Sequence, residues 1–350
     1  MSVNAPDFAR KLAAWQRRHG RHDLPWQKTR DPYRIWVSEI MLQQTQVGAV
    51  IGYFERFMLR FPDLSTLAGA EEDEVLRLWS GLGYYARARN LLKAARVMAE
   101  KHGGRFPSTA SEIATLPGIG RSTAAAIAAF AFGERCAILD GNVKRVLARC
   151  FGIEGFPGSA RVEARMWALA EELLPAGQRK GEIEVYTQGL MDLGATICTR
   201  SKPACATCPV SEGCVARETG RTAELPFPRP RKEYPTRQAR WLVLRHEGKV
   251  LLERRPPAGI WGGLWAFPES AGANLEGDCL TRFGCTLSGH RELPSFAHGF
   301  THFRLEITAL VCEVDQLGPQ VESAGRIWLD AGAAMEAAVP TPVRNLLREL

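Results

Sequence analysis

The run LPGIGRSTAAAIAAFAFG, residues 116–133, decides how the first half of the chain is read. Upstream of it, Thr109 and Glu112 have the Thr-x-x-Glu spacing of a capping box, so a helix is expected to start there. That helix runs into Pro117-Gly118-Ile119-Gly120, and an alanine-rich helix follows. Two glycines ahead of a helix expose backbone N–H groups at the positive end of its dipole, where a phosphate oxygen docks without steric conflict. Gly118, Gly120 and Arg121 are the candidate contacts. An ordinary helix–turn–helix corner needs the same residues, and the loop alone leaves both readings open.

Around this run, from Phe8 to about Ile197, apolar residues recur at three- and four-residue spacing, which predicts helix after helix. Val47, Val50, Ile51, Phe54, Phe57 and Met58 form one such stripe, read as core. LPFPRPRKEYPTRQA, residues 225–239, is too proline-rich for a helix or a central strand and reads as linker. Beyond it the period drops to two. WLVLRH and KVLLER flank Glu247-Gly248 as a hairpin, Phe303 to Val311 alternate apolar and polar, and TPVRNLLREL closes the chain as a helix. The expected division is a helical domain over residues 1–220, a basic linker over 221–239 and a smaller α/β domain over 240–350.

The 350 residues suit about two domains. A net charge of +7 and a pI near 9.0 favour a polyanionic partner, although that signal alone is weak. No apolar run approaches the roughly 18 residues of a membrane span, and MSVNAPDFARKL lacks the apolar core of a secretory signal, so a cytoplasmic protein is expected. Cys198, Cys205, Cys208 and Cys214 follow C-x6-C-x2-C-x5-C. Four thiols so close together point to metal ligation, with zinc and an iron–sulfur cluster comparable on spacing alone.

Two carboxylates stand out less on their own. Asp31-Pro32 should open a helix whose apolar face includes Ile35 and Leu42, which puts Glu39 in mid-helix, ordinarily a solvated position. Asp140-Gly141 is an ordinary turn or N-cap signal. WSGLGYYARARN, residues 79–90, combines glycines, tyrosines and arginines.

Taken together, the hairpin, the cysteine spacing and LPWQKTRDPYRIWVSEIMLQQTQV, residues 24–47, resemble the MutY branch of the helix-hairpin-helix DNA glycosylase superfamily, over almost the whole chain. The resemblance implies an all-α glycosylase domain with a [4Fe–4S] loop, in which the four cysteines are the cluster ligands. It makes Glu39 the catalytic glutamate, able to hold a proton for an adenine ring nitrogen, and Asp140 the catalytic aspartate that stabilises charge on the sugar. Asn142 would orient the pair. Trp26, Gln27, Leu42, Val47 and Gln188 would form the adenine pocket. Gln44 and Tyr84 would wedge beside 8-oxoguanine, supported by Thr45 and Leu82. Endonuclease III has a lysine where this chain has Ser122, and a serine cannot form the Schiff base that cuts the strand.

The second domain resembles a Nudix fold, with RRPPAGIWGGLWAFPES at its start, but LEGDCLTRFG supplies no REUxEE-type set of metal-binding glutamates. A lesion-recognition module is implied, with Phe300-Thr301-His302 standing where the family has Phe-Ser-His. The implied function is hydrolytic removal of adenine mispaired with 8-oxoguanine or G in double-stranded DNA, by a monomer whose linker can contact repair proteins. A bifunctional pyrimidine-lesion glycosylase is disfavoured by Ser122 and the extra domain, and a non-catalytic iron–sulfur DNA-binding protein would leave both carboxylates without a task.

Overall fold

A computed structural model describes residues 5–176, 179–230, 234–270, 274–318 and 325–350. Helices dominate first: α1 (Ala5–His19), α2 (Pro32–Leu42), α3 (Val47–Arg60), α4 (Leu64–Ala68), α5 (Glu72–Trp79) and α6 (Ala86–Lys101). They continue with α7 (Ala110–Ile113), α8 (Arg121–Phe132), α9 (Gly141–Cys150), α10 (Ala160–Glu172), α11 (Glu182–Asp192) and α12 (Val215–Glu218). Strands β1 (Thr236–His246), β2 (Lys249–Arg254) and β3 (Trp265–Ala266) precede α13 (Leu275–Phe283). After it come β4 (Cys285–Glu292), β5 (Phe296–Gly299), β6 (Arg304–Leu317), β7 (Arg326–Asp330), α14 (Ala331–Glu336) and α15 (Thr341–Leu347). The chain forms two units, one of Met1–Gly69 with Asn90–Arg231 and one of Ala70–Arg89 with Lys232–Leu350.

In the first unit the local sequence explains each boundary that matters for the site. Asp31 caps α2 by accepting from the Tyr33 N–H at 2.9 Å, and Pro32 occupies the first turn, where its missing N–H costs nothing. The Thr109–Glu112 capping box forms as expected, but the helix it starts is a single turn. Ala124 to Ala129 of α8 are all buried. Their small side chains make α8 a thin central rod against which α2, α7 and α11 pack. Along α3 the stripe buries Val50, Phe54, Phe57 and Met58. Phe8 and Leu12 of α1 share a core with Val143, Val146 and Leu147 of α9 and with Leu190 and Leu193.

The second unit is built on a seven-stranded sheet of order β3-β2-β1-β6-β4, with β5 on β6 and β7 on β2. The expected hairpin joins β1 and β2: Glu247 and Gly248 both take positive φ, 47° and 76°, the geometry of a two-residue hairpin turn. β1 lies parallel to β6, and Leu305, Ile307, Ala309 and Val311 point into the core as their alternation indicates.

Two features differ from the sequence expectation. Leu225 is buried in the first unit's core and β1 begins at Thr236, so both ends of the proline-rich run are held by structure; Arg231, Lys232 and Glu233 lie outside the described residues. Residues 70–89, read from periodicity as part of the helical domain, pack with the second unit. Ser80 Oγ donates to the Val339 carbonyl at 2.7 Å and accepts from Arg344 at 2.8 Å, and Trp265 Nε1 donates to Asp73 at 2.8 Å. Arg89 donates to the Gly262 carbonyl. Among the described residues no helix is long and apolar enough to cross a membrane.

The hairpin loop supplies a test. Gly118 has φ of 77°, and a Cβ there would sit 2.6 Å from Asn90 Cβ, whereas one on Gly120 would meet nothing within 4 Å. Gly118→Ala is therefore expected to destabilise the helical unit by about 1–3 kcal/mol and Gly120→Ala by less than about 1 kcal/mol, read by thermal unfolding at fixed pH. Equal melting temperatures for the two variants would contradict this account of the loop.

Candidate active site

A cavity of about 370 Å³ in the first unit is lined by Trp26, Gln27, Glu39 and Gln188, together with Arg21 and Ser38. Four residues expected in one pocket from widely separated stretches thus come together, in a volume typical of small-ligand sites. Helix α2 delivers Glu39 to its wall. Trp26 is buried in the single 3-10 turn Pro25–Lys28, with its ring edge against Phe54 at 5.3 Å. Leu42 and Val47, the last residue of α2 and the first of α3, are half-buried and do not line this cavity.

Burial pushes the Glu39 carboxyl up to about 8, and the negative charge of Asp140 adds to the effect. Asp140, about a hundred residues on in sequence, thus lies near enough to act on Glu39 through its charge, although it does not itself line the cavity. Asp140 is also raised by burial, but the N–H groups of Val143 and Asn142 and the charges of Arg145 and Lys144 oppose the rise. As the N-cap of α9, Asp140 accepts from the Val143 N–H at 2.8 Å. The hydroxyl of Ser122, at the start of α8, accepts from the Leu139 N–H at 2.9 Å and so pins the residue before Asp140.

The side chain of Asn142 accepts from Arg145 at 2.7 Å, and Arg145 also donates to the Gly194 and Cys198 carbonyls. Asn142 is thereby held to the chain leading into the cysteines, and its side chain makes no hydrogen bond to either carboxylate. Lys144, the one amine near Asp140 in sequence, is paired with Glu163 at 2.6 Å. At the hairpin, Gly118 and Gly120 are exposed, and Gly120 caps α8 without a side-chain bond. Arg121, expected to face phosphate, is paired with Glu171 and lies over the Trp167 ring at 3.8 Å.

Gln44, in the turn between α2 and α3, and Tyr84 both hold positive φ, 56° and 47°, and Tyr84 is exposed. A non-glycine residue in this region is strained by about 1–3 kcal/mol, and such strain concentrates at functional sites. Thr45 follows Gln44 and donates to the Gln43 carbonyl at 3.3 Å, and Leu82 is buried two residues before Tyr84. Within the second unit, Tyr84, Trp261, His298, Phe300, Thr301 and His302 line a cleft of about 420 Å³. Trp261 is a further strained residue, with φ of 53°, and its ring lies 5.5 Å from those of His298 and Phe300. Sequence reasoning missed Trp261, because nothing in a Gly-Ile-Trp-Gly-Gly stretch says that the tryptophan takes the left-handed conformation.

Cys198, Cys205, Cys208 and Cys214 line one apolar pocket, entered from α11 through the π-helical turn Leu193–Ile197. Arg149 donates to Cys198 Sγ at 3.4 Å and to the Thr199 and Arg200 carbonyls. Among the described residues no three His, Cys, Asp or Glu side chains are grouped as ligands of a single ion. The site's missed residues are Arg21 and Asp192. Asp192 is buried and accepts from Arg21 and from Gln188. A charged pair 171 residues apart leaves no local signal.

Comparison with known proteins agrees with this geometry. The profile of the HhH-GPD superfamily of base excision DNA repair proteins matches residues 37–172, and that of the NUDIX domain matches 240–349. A solved thermostable thymine-DNA glycosylase superposes with a TM-score of 0.54 at 32% identity, over 61% of this chain and 97% of its own. The helical unit is that of a base-excision DNA glycosylase. Over 341 residues the chain is 36% identical to the adenine DNA glycosylase of Buchnera aphidicola subsp. Acyrthosiphon pisum (strain APS), covering 97% of this chain and 96% of the relative. It is 34% identical to the adenine DNA glycosylase of Homo sapiens over 406 residues, covering 97% and 73%. The chain belongs to the adenine DNA glycosylases: it is a DNA-binding N-glycosylase of base excision repair.

The raised Glu39 carboxyl has a stability signature. Its folded value of about 8 lies above the ordinary 4.5, so its contribution is fully present below about 4.5 and is lost as pH rises through about 8. Glu39→Gln, which does not titrate, should therefore gain melting temperature over the unmodified protein between those limits, with a plateau above pH 8. A difference independent of pH would show that the carboxyl is not held out of water.

Proposed function

We propose that this enzyme removes adenine from A:8-oxoguanine, and from A:G, by hydrolysis, with Glu39 as general acid and Asp140 as the stabilising carboxylate. The observation that carries the reading is the unequal environment of two coupled carboxyls. Burial and the charge of Asp140 push Glu39 up to about 8, so at neutral pH it keeps a proton. Asp140 sits at a helix N-terminus and receives backbone N–H groups, so of the two it keeps the charge. Adenine flipped from the duplex into the cavity meets the Glu39 proton at a ring nitrogen. As the N-glycosidic bond lengthens, the Asp140 carboxylate offsets the positive charge growing on the sugar. Water then adds to the sugar C1′, and its proton returns to the Glu39 carboxylate, which restores the starting state. Ser122 has a hydroxyl, which accepts from the Leu139 N–H, and no amine, and Lys144 is paired with Glu163, so neither serves as an amine nucleophile.

The second unit supports the choice of opposing base. Oxidation at C8 turns N7 of guanine from acceptor into N–H donor, and the exposed Thr301 hydroxyl can accept from it. Tyr84, held strained in the same cleft, can wedge beside the 8-oxoguanine. Exposed N–H groups at Gly118 and Gly120 suit the DNA backbone.

Single-turnover excision on A:8-oxoguanine duplex tests the reading. Glu39→Gln and Asp140→Asn are each expected to keep DNA binding and to lose at least about two orders of magnitude in rate. The unmodified rate should fall above pH 8 as Glu39 loses its proton. Thr301→Ala should shrink the preference for A:8-oxoguanine over A:G by roughly two- to tenfold at one fixed salt concentration. Near-normal rates in either carboxyl variant would place the chemistry elsewhere.

The four cysteine thiols are proposed to hold a [4Fe–4S] cluster. The fit rests on their shared pocket and on Arg149, whose guanidinium donates to Cys198 and favours a thiolate there. Such a cluster supplies four Fe–S bonds that brace the segment after α11. The purified protein should absorb broadly near about 400 nm and contain about four irons per chain. Stoichiometric zinc in their place would overturn the assignment.

A further inference from the structure

Gln188 lines the cavity with a terminal amide, and an amide can present either an acceptor oxygen or a donor NH2 to a ligand. Its surroundings decide which. Oδ1 of the buried Asp192 accepts from Gln188 Nε2 at 2.8 Å and from Arg21 Nε at 2.7 Å, while Oδ2 accepts from the Arg21 backbone N–H at 2.9 Å. Both Asp192 oxygens already accept from Arg21, so only the NH2 end of Gln188 can face them. The remaining atom, Oε1, makes no hydrogen bond among the described residues, which leaves it to meet a ligand in the cavity that Gln188 lines. Turning the amide over would set oxygen against oxygen in a buried place.

Across the cavity Gln27 is fixed in the opposite sense. The Leu24 N–H can only donate, and it holds Gln27 Oε1 at 3.2 Å, which leaves Nε2 as a buried donor without a partner. The wall therefore offers an acceptor from one glutamine and a donor from the other. Adenine has the complementary edge, an amino donor on C6 beside acceptor ring nitrogens, whereas 6-oxo purines place an acceptor at C6.

We propose that Asp192, acting through the orientation it imposes on Gln188, makes the cavity select a 6-amino purine. The inference rests on the reading that this cavity receives the flipped adenine. Asp192 touches no base. It is a positioning residue, and its removal frees the Gln188 amide to turn.

The test compares full-length protein on two duplexes that differ only in the excised base, adenine or unsubstituted purine, opposite the same partner at one salt concentration. Asp192→Asn is expected to lower the adenine-to-purine ratio of single-turnover rates by roughly two- to tenfold, the worth of one hydrogen bond. Gln188→Leu, which leaves the Arg21–Asp192 pair whole, should lower it by a similar factor. In the double variant the two effects should not add. A merely structural Asp192 would slow both bases alike in D192N and leave the ratio intact while Q188L lowers it, which overturns the proposal but spares the pocket. An unchanged ratio in Q188L overturns the pocket reading as well, and if D192N does not fold, Asp192→Ser is judged by the same ratio in its place.

Discussion

The constraint on which the proposed active site depends is the half-burial of two carboxyl groups that feel one another's charge. Neither would ionise freely there, and both cannot carry charge together without a large cost. The fold resolves this by giving them different neighbours. Asp140 receives backbone N–H groups at the start of α9, whereas Glu39 projects from the middle of α2, where every N–H is already used within the helix. The proton therefore stays with Glu39. The buried alanines of α8 let α2 pack closely against it, and the Ser122–Leu139 hydrogen bond ties the start of α8 to the residue before Asp140. Larger side chains along α8 would push α2 outward and return water to the pair.

What the chain's letters disclose follows the range of the interaction. The Asp31-Pro32 start of α2, the Thr109–Glu112 box and the Glu247-Gly248 turn were legible, because each is closed by residues two or three positions apart. The Arg21–Asp192 pair and the docking of Ser80 on Val339 span 171 and 259 positions, and nothing local encodes them. Glu39 and Asp140 were legible only through likeness to a known family, since a mid-helix glutamate and an N-cap aspartate are unremarkable by themselves. The strain at Gln44, Tyr84 and Trp261 was hidden for a related reason. Glycine advertises the left-handed region, but other residues enter it only when tertiary contacts force them.

Arg121 illustrates how a plausible assignment shifts once neighbours are known. A cation beside a glycine loop at a helix start suits phosphate, yet here it is paired with Glu171 and stacked on Trp167. Release of such an arginine to a phosphate means giving up an ion pair and a cation–π contact, so its net contribution to binding is smaller than that of an unpaired cation. The backbone N–H groups of the loop carry no such penalty.

The grouping of residues 70–89 with the second unit changes what that unit is for. Tyr84, the strained and exposed aromatic, is carried by a segment whose Ser80, Asp73 and Arg89 are bonded to Val339, Trp265 and Gly262. The same body presents Thr301 and His302 in the cleft that Tyr84 lines. Locally the Tyr84 turn is held by its flanking helices, since Trp79 of α5 donates to the Gly83 carbonyl and Arg87 of α6 donates to the Leu82, Gly83 and Tyr84 carbonyls, while Ser80, Asp73 and Arg89 tie that helical segment to the sheet domain. Cutting the chain after the cysteine loop would then remove more than a recognition module. It would take away the sheet-domain partners of the segment that carries Tyr84, so any change in the proposed lesion preference of such a fragment would report on Tyr84 as much as on Thr301.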